Sequence, residues 1–167
     1  MMLVVQNFFT EGRLLPQLNH TFITLIPKKV GACTSNHFRP ISLCNFIYKI
    51  ISKLLVSRLR PLLHRIIDLA QAAFVPNHWI TENVVLAQEV VHSFKKSKKR
   101  KESVGFKIDF HKAYDSLEWD FIYKVLAMVG FDRNFIGLIH QCISTVRYSL
   151  LLNGSKSSSF TPSRGIR

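Results

Sequence analysis

The spacing of the hydrophobic residues changes at Phe46, and this change restricts the fold more than any other feature of the sequence. Residues 21–26 (TFITLI) and 38–43 (FRPISL) are short runs with β-branched and aromatic residues, and they predict two short strands joined by a polar, basic loop. From Phe46 to Pro61 the apolar residues recur at helical spacing instead. Strands and helices in separate runs predict an α+β fold.

The helix predicted from Phe46 is amphipathic. Its apolar stripe consists of Phe46, Ile47, Ile50, Ile51, Leu54 and Leu55. Lys49 and Lys53 lie on the other side and give this helix a basic back. Pro61 lacks a backbone N–H, so it should end or kink the helix.

Helices dominate the rest of the chain. They are predicted for residues 62–67, from an N-cap at Thr81 to the lysine run at 95–101, from Leu117 to about Gly130, and for 135–144. Asn153 and Gly154 lie between two runs of strand character, and this dipeptide is typical of a hairpin with a type I′ turn. The strands are therefore expected to be few, short and antiparallel.

Another strand is predicted at residues 104–110 (VGFKIDF). Val104, Phe106, Ile108 and Phe110 alternate with more polar positions, so these four side chains should face the core. Asp109 would then point away from the core at the end of the strand.

The charge of the chain predicts a polyanionic partner. With 23 Lys and Arg against 10 Asp and Glu, the formal net charge is +13, and neutralising phosphates releases counterions. Nucleic acid is expected ahead of an anionic membrane surface, although a merely solvated basic surface has the same composition. No apolar run approaches the about 18 residues of a membrane span. Neither a signal peptide nor paired cysteine spacing is present, which predicts an intracellular location, nuclear or cytoplasmic.

Asp109 is the candidate for metal chemistry. Nucleotidyl transfer uses Mg²⁺, which prefers carboxylate and carbonyl oxygens. The Asp109 carboxylate could supply one ligand and the backbone carbonyl of Phe110 another, with the ring of Tyr114 as a floor beneath a nucleotide sugar that excludes a 2′-hydroxyl. The alternative is a solvated charge or a helix N-cap.

The stretch FKIDFHKAYDSLEW (106–119) resembles motif A of reverse transcriptases from non-LTR, LINE-type retrotransposons, with plants as the expected source. Further blocks resemble the same family in the same order: ITLIPKK (23–29), FRPISLCNFIYKIISKLLVSRL (38–59), QAAFVP (71–76), ITENVVLAQEVVH (80–92) and LLNGSKSSSFTPSRGIR (151–167). The resemblance covers nearly the whole chain from about residue 8. It implies an RNA-directed DNA polymerase that takes an RNA template, a DNA primer, dNTPs and Mg²⁺.

The resemblance also implies an architecture and a set of roles. The chain would be one partial domain of a right-hand polymerase, with fingers at about 20–103 and an incomplete palm at about 104–167. Asp109 would be a catalytic metal ligand and Tyr114 the residue that discriminates between sugars. Lys28 and Arg39 would be fingers residues that bind the triphosphate of the dNTP, Arg39 through its planar fork and Lys28 as a point charge.

The family's second acidic pair, in a YxDD hairpin, is expected beyond residue 167, and the first residues resemble the interior of the family's domain. The sequence is therefore expected to be truncated at both ends and inactive as a polymerase by itself, because one carboxylate cannot hold two Mg²⁺ ions. Two alternatives remain: a non-catalytic basic module that binds nucleic acid through residues such as Lys49 and Lys53, and a retrotransposon relic without activity.

Overall fold

A computed structural model describes residues 1–68, 70–76, 78–96, 104–110 and 112–166. The chain divides into two compact units: the first unit is Met1–Leu55 with Lys112–Arg167, and the second unit is Val56–His111. Within the described ranges, no helix combines the length and the apolar character that crossing a membrane requires. The fold is α+β, as the sequence predicts.

The first unit contains a four-stranded sheet. Its strands are β1 (His20–Pro27), β2 (Phe38–Cys44), β3 (Arg147–Leu152) and β4 (Ser155–Lys156), in the spatial order β2-β1-β3-β4. The predicted strands at 21–26 and 38–43 are confirmed as the antiparallel pair β1 and β2. The expectation of antiparallel strands alone is wrong, because β1 and β3 are parallel. A parallel pair needs a long crossover connection, and here the chain between the two strands supplies it.

The turn between β3 and β4 has the predicted geometry. Asn153 and Gly154 have φ angles of 49° and 80°, and both are positive as a type I′ turn requires. The two strands pair in register, with Leu151 opposite Lys156 and Leu152 opposite Ser155. The predicted hairpin is confirmed.

The other regular elements of the described residues are mainly helices. They are α1 (Met2–Glu11), α2 (Phe46–Leu59), α3 (Leu63–Ile66), α4 (Ile80–Lys96), α5 (Ala113–Ser116), α6 (Trp119–Met128) and α7 (Arg133–Ser144). The helices predicted around 62–67, 117–130 and 135–144 are confirmed, and α2 ends just before Pro61, as expected from its missing N–H. Thr81 does not cap α4, since this helix begins one residue earlier. The apolar N-terminal segment forms α1, a helix that the sequence reasoning did not predict.

The core of the first unit lies between α1, α2 and α7. Its buried members are Phe8, Leu14, Tyr48, Ile51, Leu55, Leu138 and Cys142. Only part of the predicted stripe of α2 is buried: Ile51 and Leu55 are inside, whereas Phe46 is 64% exposed. Tyr48 takes part in the core because its hydroxyl donates to the carbonyl of Cys142 at 3.4 Å, which satisfies the polar end of a buried ring.

The Asn19 side chain connects the start of β1 to the end of α7 through hydrogen bonds. This residue is fully buried, and its Nδ2 donates to the carbonyls of Gln141 and Cys142 at 3.1 and 3.3 Å and to the Thr145 hydroxyl at 2.7 Å. The last carbonyls of a helix lack partners within the helix. Asn19 therefore satisfies the C-terminal end of α7 inside the core.

The second unit differs from the sequence prediction at residues 104–110. No described strand pairs with this segment, which has no regular secondary structure. Val104, Phe106, Ile108 and Phe110, predicted to face the core, are 70–87% exposed. An extended segment becomes part of a sheet only when a neighbouring strand satisfies its backbone groups. The predicted strand is therefore wrong for the described structure, because alternation alone supplies no partner.

Candidate functional site

Lys28 and Arg39 meet at the end of the β1–β2 hairpin. Arg39 pairs with Ile26, and the Lys28 backbone N–H continues the pairing by donating to the His37 carbonyl at 2.8 Å. Residues directly opposite in an antiparallel pair share a face, as do residues two apart in one strand. Lys28 lies one residue beyond β1, but because its N–H continues the pairing, we place Lys28 and Arg39 as diagonal neighbours on the same face of the hairpin.

Both cations of this hairpin face are available to a ligand. Their residues are exposed, and neither makes an ion pair with any other residue in the described ranges. The Lys28 Nζ donates to the backbone carbonyl of Asn36 at 3.0 Å, a contact that leaves its positive charge unneutralised. The hairpin end thus presents two positive charges, one of them a planar guanidinium.

Tyr114 lies on α5, and the backbone of this short helix is held by residues near the end of the chain. The Tyr114 carbonyl accepts from the Ile166 N–H at 2.9 Å, and the Leu117 carbonyl accepts from the Gly165 N–H at 2.7 Å. The indole Nε1 of Trp119 donates to the Gly165 carbonyl at 2.8 Å. The Tyr114 side chain itself is 58% exposed. We call Trp119, Gly165 and Ile166 the α5 clamp.

Gly165 is suited to the α5 clamp for two reasons. Its φ of 87° lies in the left-handed region, and a Cβ at this position would lie 2.9 Å from the Asp115 carbonyl oxygen. Sequence reasoning found Tyr114 but missed Trp119 and Gly165 as its supports. The available signal was the glycine in the block SRGIR, since an isolated glycine marks a close backbone approach or a positive φ.

Asp109 and Phe110 belong to the second unit, whereas Lys28, Arg39 and Tyr114 belong to the first. Asp109 is exposed on an irregular segment, and Phe110 is 79% exposed. Across the described residues, no group of three or more His, Cys, Asp or Glu side chains is arranged to hold a metal ion. The structure therefore places Lys28 and Arg39 near each other in the first unit, and Asp109 belongs to the second unit.

Lys49 and Lys53 occupy one side of α2, four residues apart. Both residues are exposed, and side chains at this spacing are neighbours on a helix surface. The predicted basic back of α2 is therefore present.

The sequence places the chain in a known class of protein. A profile of the family described as "Reverse transcriptase (RNA-dependent DNA polymerase)" matches residues 26–167. The match covers most of the chain, so the chain belongs to the reverse transcriptase family, as its motifs predict. Polymerases of this family generally use divalent metal ions and act on a nucleic-acid template with dNTPs.

Two relatives narrow the class further. The chain is 26% identical to the "Transposon TX1 uncharacterized 149 kDa protein" of Xenopus laevis over 165 residues, which are 98% of the chain and 12% of that protein. It is 29% identical to the "Retrovirus-related Pol polyprotein from type-2 retrotransposable element R2DM" of Drosophila melanogaster over 143 residues, 85% of the chain and 13% of that protein. These relatives confirm the predicted non-LTR retrotransposon type. A plant source stays a prediction. The chain spans about an eighth of the length of these two relatives.

Proposed function

We propose that this chain is the part of a non-LTR retrotransposon reverse transcriptase that binds the incoming dNTP, with fingers at about 20–103 and the first part of the palm at about 104–167. In this proposal Lys28 and Arg39 bind the triphosphate, and Tyr114 lies under the sugar and excludes a 2′-hydroxyl. The enzyme would work inside the cell, in the nucleus or the cytoplasm, on an RNA template with a DNA primer.

The observation that supports this proposal most is the shared face of Lys28 and Arg39. A guanidinium can bind two phosphate oxygens with parallel hydrogen bonds, and a neighbouring ammonium adds a point charge. The Cα atoms of diagonal neighbours in a sheet are about 7–8 Å apart, so two long cationic side chains at such positions can contact different phosphates of one triphosphate. Pairing of β1 with β2 fixes the backbone from which both side chains extend, so binding would have to order the side chains but not the hairpin.

Asp109 is the proposed metal ligand, with the Phe110 carbonyl beside it. When bound, Mg²⁺ would supply charge stabilisation at the phosphates. One carboxylate and one carbonyl do not complete a site for two ions, and no group of three or more His, Cys, Asp or Glu side chains among the described residues could hold a metal ion. We therefore expect no primer extension from the 167-residue chain alone. Extension that Asp109→Asn abolishes would contradict this expectation.

The proposal is tested by dNTP binding to the 167-residue protein. Lys28→Ala and Arg39→Ala should each weaken binding of a labelled dNTP by about 10- to 100-fold, because each removes charge-assisted hydrogen bonds of about 1.5–3 kcal/mol. Lys29→Ala and Arg133→Ala are matched controls: each removes the same charge, but from an exposed residue outside the shared face. Equal affinity of the control and test variants would overturn the role of the hairpin.

The alternative is a basic module that binds nucleic acid without chemistry, and the exposed pair Lys49 and Lys53 favours it. Such a module would bind nucleic acid with an affinity that falls as the salt concentration rises. The log–log slope of this fall would be about 0.7–0.9 for each phosphate neutralised. If dNTP binding is absent while Lys49→Ala and Lys53→Ala each lower that slope, the alternative replaces the first proposal.

A further inference from the structure

A cleft of about 520 Å³ lies at the edge of the sheet where β1 and β3 begin. Three basic residues line it, His20, Arg147 and Lys156, together with four serines between positions 149 and 159. All of these residues belong to the first unit. Lys156 and the last three of these serines lie in the block at residues 151–167, but the family motifs assign none of the lining residues a role.

One wall of this cleft is fixed by the parallel pairing of β1 and β3. His20 is the register partner of Arg147, so the two residues lie side by side at the start of their strands. The His20 Nε2 lies 3.1 Å from the hydroxyl of Ser149, whose residue is only 2% exposed. The ring of Phe22 meets the edge of the His20 imidazole with centroids 4.8 Å apart.

The opposite wall is the chain that leaves β4. The Ser157 hydroxyl accepts from the Leu150 N–H at 3.0 Å and donates to the Ser158 carbonyl at 2.9 Å. The Ser157 N–H donates to the Leu150 carbonyl at 2.9 Å. This segment is therefore attached to β3 by backbone and side-chain bonds, and the serines that follow it border a formed cavity.

The charge of the cleft favours an anionic ligand. Among the described residues that line it, none is acidic. Neither Arg147 nor Lys156 makes an ion pair with another residue of the described ranges. Arginine, lysine and serine side chains together are the groups that proteins use to hold the phosphates of nucleic acid. A cationic or apolar ligand would leave two exposed cations uncompensated.

We infer that this cleft binds a backbone phosphate of a nucleic-acid strand, at a site separate from the Lys28 and Arg39 face. The inference rests on the proposed function to the extent that nucleic acid is the partner. His20 opens β1 and Lys28 follows its end, so about 26 Å separates them at about 3.3 Å per residue. That span exceeds the reach of a single nucleotide, whereas a strand of several nucleotides can reach both sites.

The test is fluorescence anisotropy of a labelled oligonucleotide of about 20 nucleotides, titrated at several salt concentrations with the whole chain. The double variant Arg147→Ala with Lys156→Ala should lower the salt slope by about 0.7 for each phosphate that it no longer neutralises. The matched control is Lys124→Ala with Arg133→Ala, which removes one lysine and one arginine elsewhere in the first unit. It should keep the slope nearer to that of the wild type. Thermal melts check that both doubles fold.

The outcomes separate the two proposals. If the wild type binds the oligonucleotide and the two doubles have equal slopes, the cleft inference is wrong and the proposed function stands. If the wild type does not bind the oligonucleotide at all, the cleft inference fails, whereas the proposed function is judged separately by dNTP binding. A dinucleotide has a single internucleotide phosphate and is too short to span the two sites, so its binding should respond to only one of them. If the two doubles differ in their binding of inorganic phosphate but not in their binding of the oligonucleotide, the cleft is a site for free anions and the assignment to a strand is overturned.

Discussion

At the scale of single residues, Asn19 makes buried hydrogen bonds to the end of α7. We predict that Asn19→Asp strongly destabilises the first unit. The substitution replaces a buried donor with a carboxylate that faces the carbonyls of Gln141 and Cys142. An uncompensated buried charge costs about 3–5 kcal/mol. The measurement is urea unfolding followed by circular dichroism.

The matched control for this prediction is Asn7→Asp. It makes the same chemical change at an exposed position of α1, where substitutions usually stay within about 0.5 kcal/mol. Similar unfolding free energies for the two variants would mean that the carbonyls at the end of α7 do not depend on Asn19.

Tyr123 makes the stability of the first unit sensitive to alkaline pH. Burial raises the pKa of its phenol above the ordinary value of 10.0, with a contribution in the same direction from Asp120 and an opposing one from Ser144. The hydroxyl has no hydrogen-bond partner of good geometry among the described residues. The folded state therefore holds this proton more tightly than the unfolded state does.

Because the folded state holds the Tyr123 proton more tightly, the first unit should lose stability as the pH rises. The contribution of Tyr123 is fully present below the unfolded pKa of about 10, and it is lost as pH rises through the folded pKa. Tyr123→Phe should remove that loss, and at neutral pH it should be neutral or stabilising because it deletes a buried hydroxyl without a partner. Unfolding free energies of both proteins between about pH 8 and pH 11 test this. Parallel pH profiles would contradict it.

At the scale of elements, the α5 clamp makes a prediction about Gly165. Gly165→Ala should destabilise the clamp by about 1–3 kcal/mol, since a non-glycine residue at positive φ is strained and its Cβ would lie 2.9 Å from the Asp115 carbonyl oxygen. In a Trp79→Phe background, the fluorescence of Trp119 reports whether its indole still bonds the Gly165 carbonyl. Gly137→Ala is the control: this glycine lies inside α7 with open space around it, so alanine should stabilise by about 0.5–1 kcal/mol.

The elements that could be predicted from the sequence are those whose local signals agree with their tertiary contacts. The β1–β2 hairpin, the Asn153-Gly154 turn and α7 have strong turn or periodic patterns, and each also packs or pairs within the first unit. Residues 104–110 have an equally regular pattern but no described partner strand. Pairing is a long-range property, so alternation alone could not determine that outcome.

Only some residues of the candidate site could be predicted from the sequence. Lys28, Arg39 and Tyr114 were found through family motifs, and the shared face of the first two follows from the register of the hairpin. The supports of Tyr114 and the cleft at His20 and Arg147 join residues that are more than 40 positions apart in the chain. No local pattern indicates such pairs, because they depend on the tertiary fold, including the crossover that makes β1 and β3 parallel.

At the scale of the whole molecule, the two units differ in how much core they contain. The first unit buries side chains from α1, α2 and α7 in one cluster. In the described part of the second unit, the buried hydrophobic residues are Ala72 and Val75, and α4 has no buried residue. Most of the stability of a helix in a protein comes from the packing of its apolar face, and none of the 17 residues of α4 is buried.

We therefore predict that the two units exchange amide hydrogens at very different rates. Amides of α7, which packs in the core through Leu138 and Cys142, should be protected at least about 100-fold more than those of α4, because local opening costs little free energy where little apolar surface is buried. Hydrogen exchange followed by mass spectrometry measures both helices in one sample. Equal protection of α4 and α7 would show that the apolar face of α4 is packed in solution, and this result would contradict the prediction. Absence of protection in both would mean instead that the core of the first unit does not form.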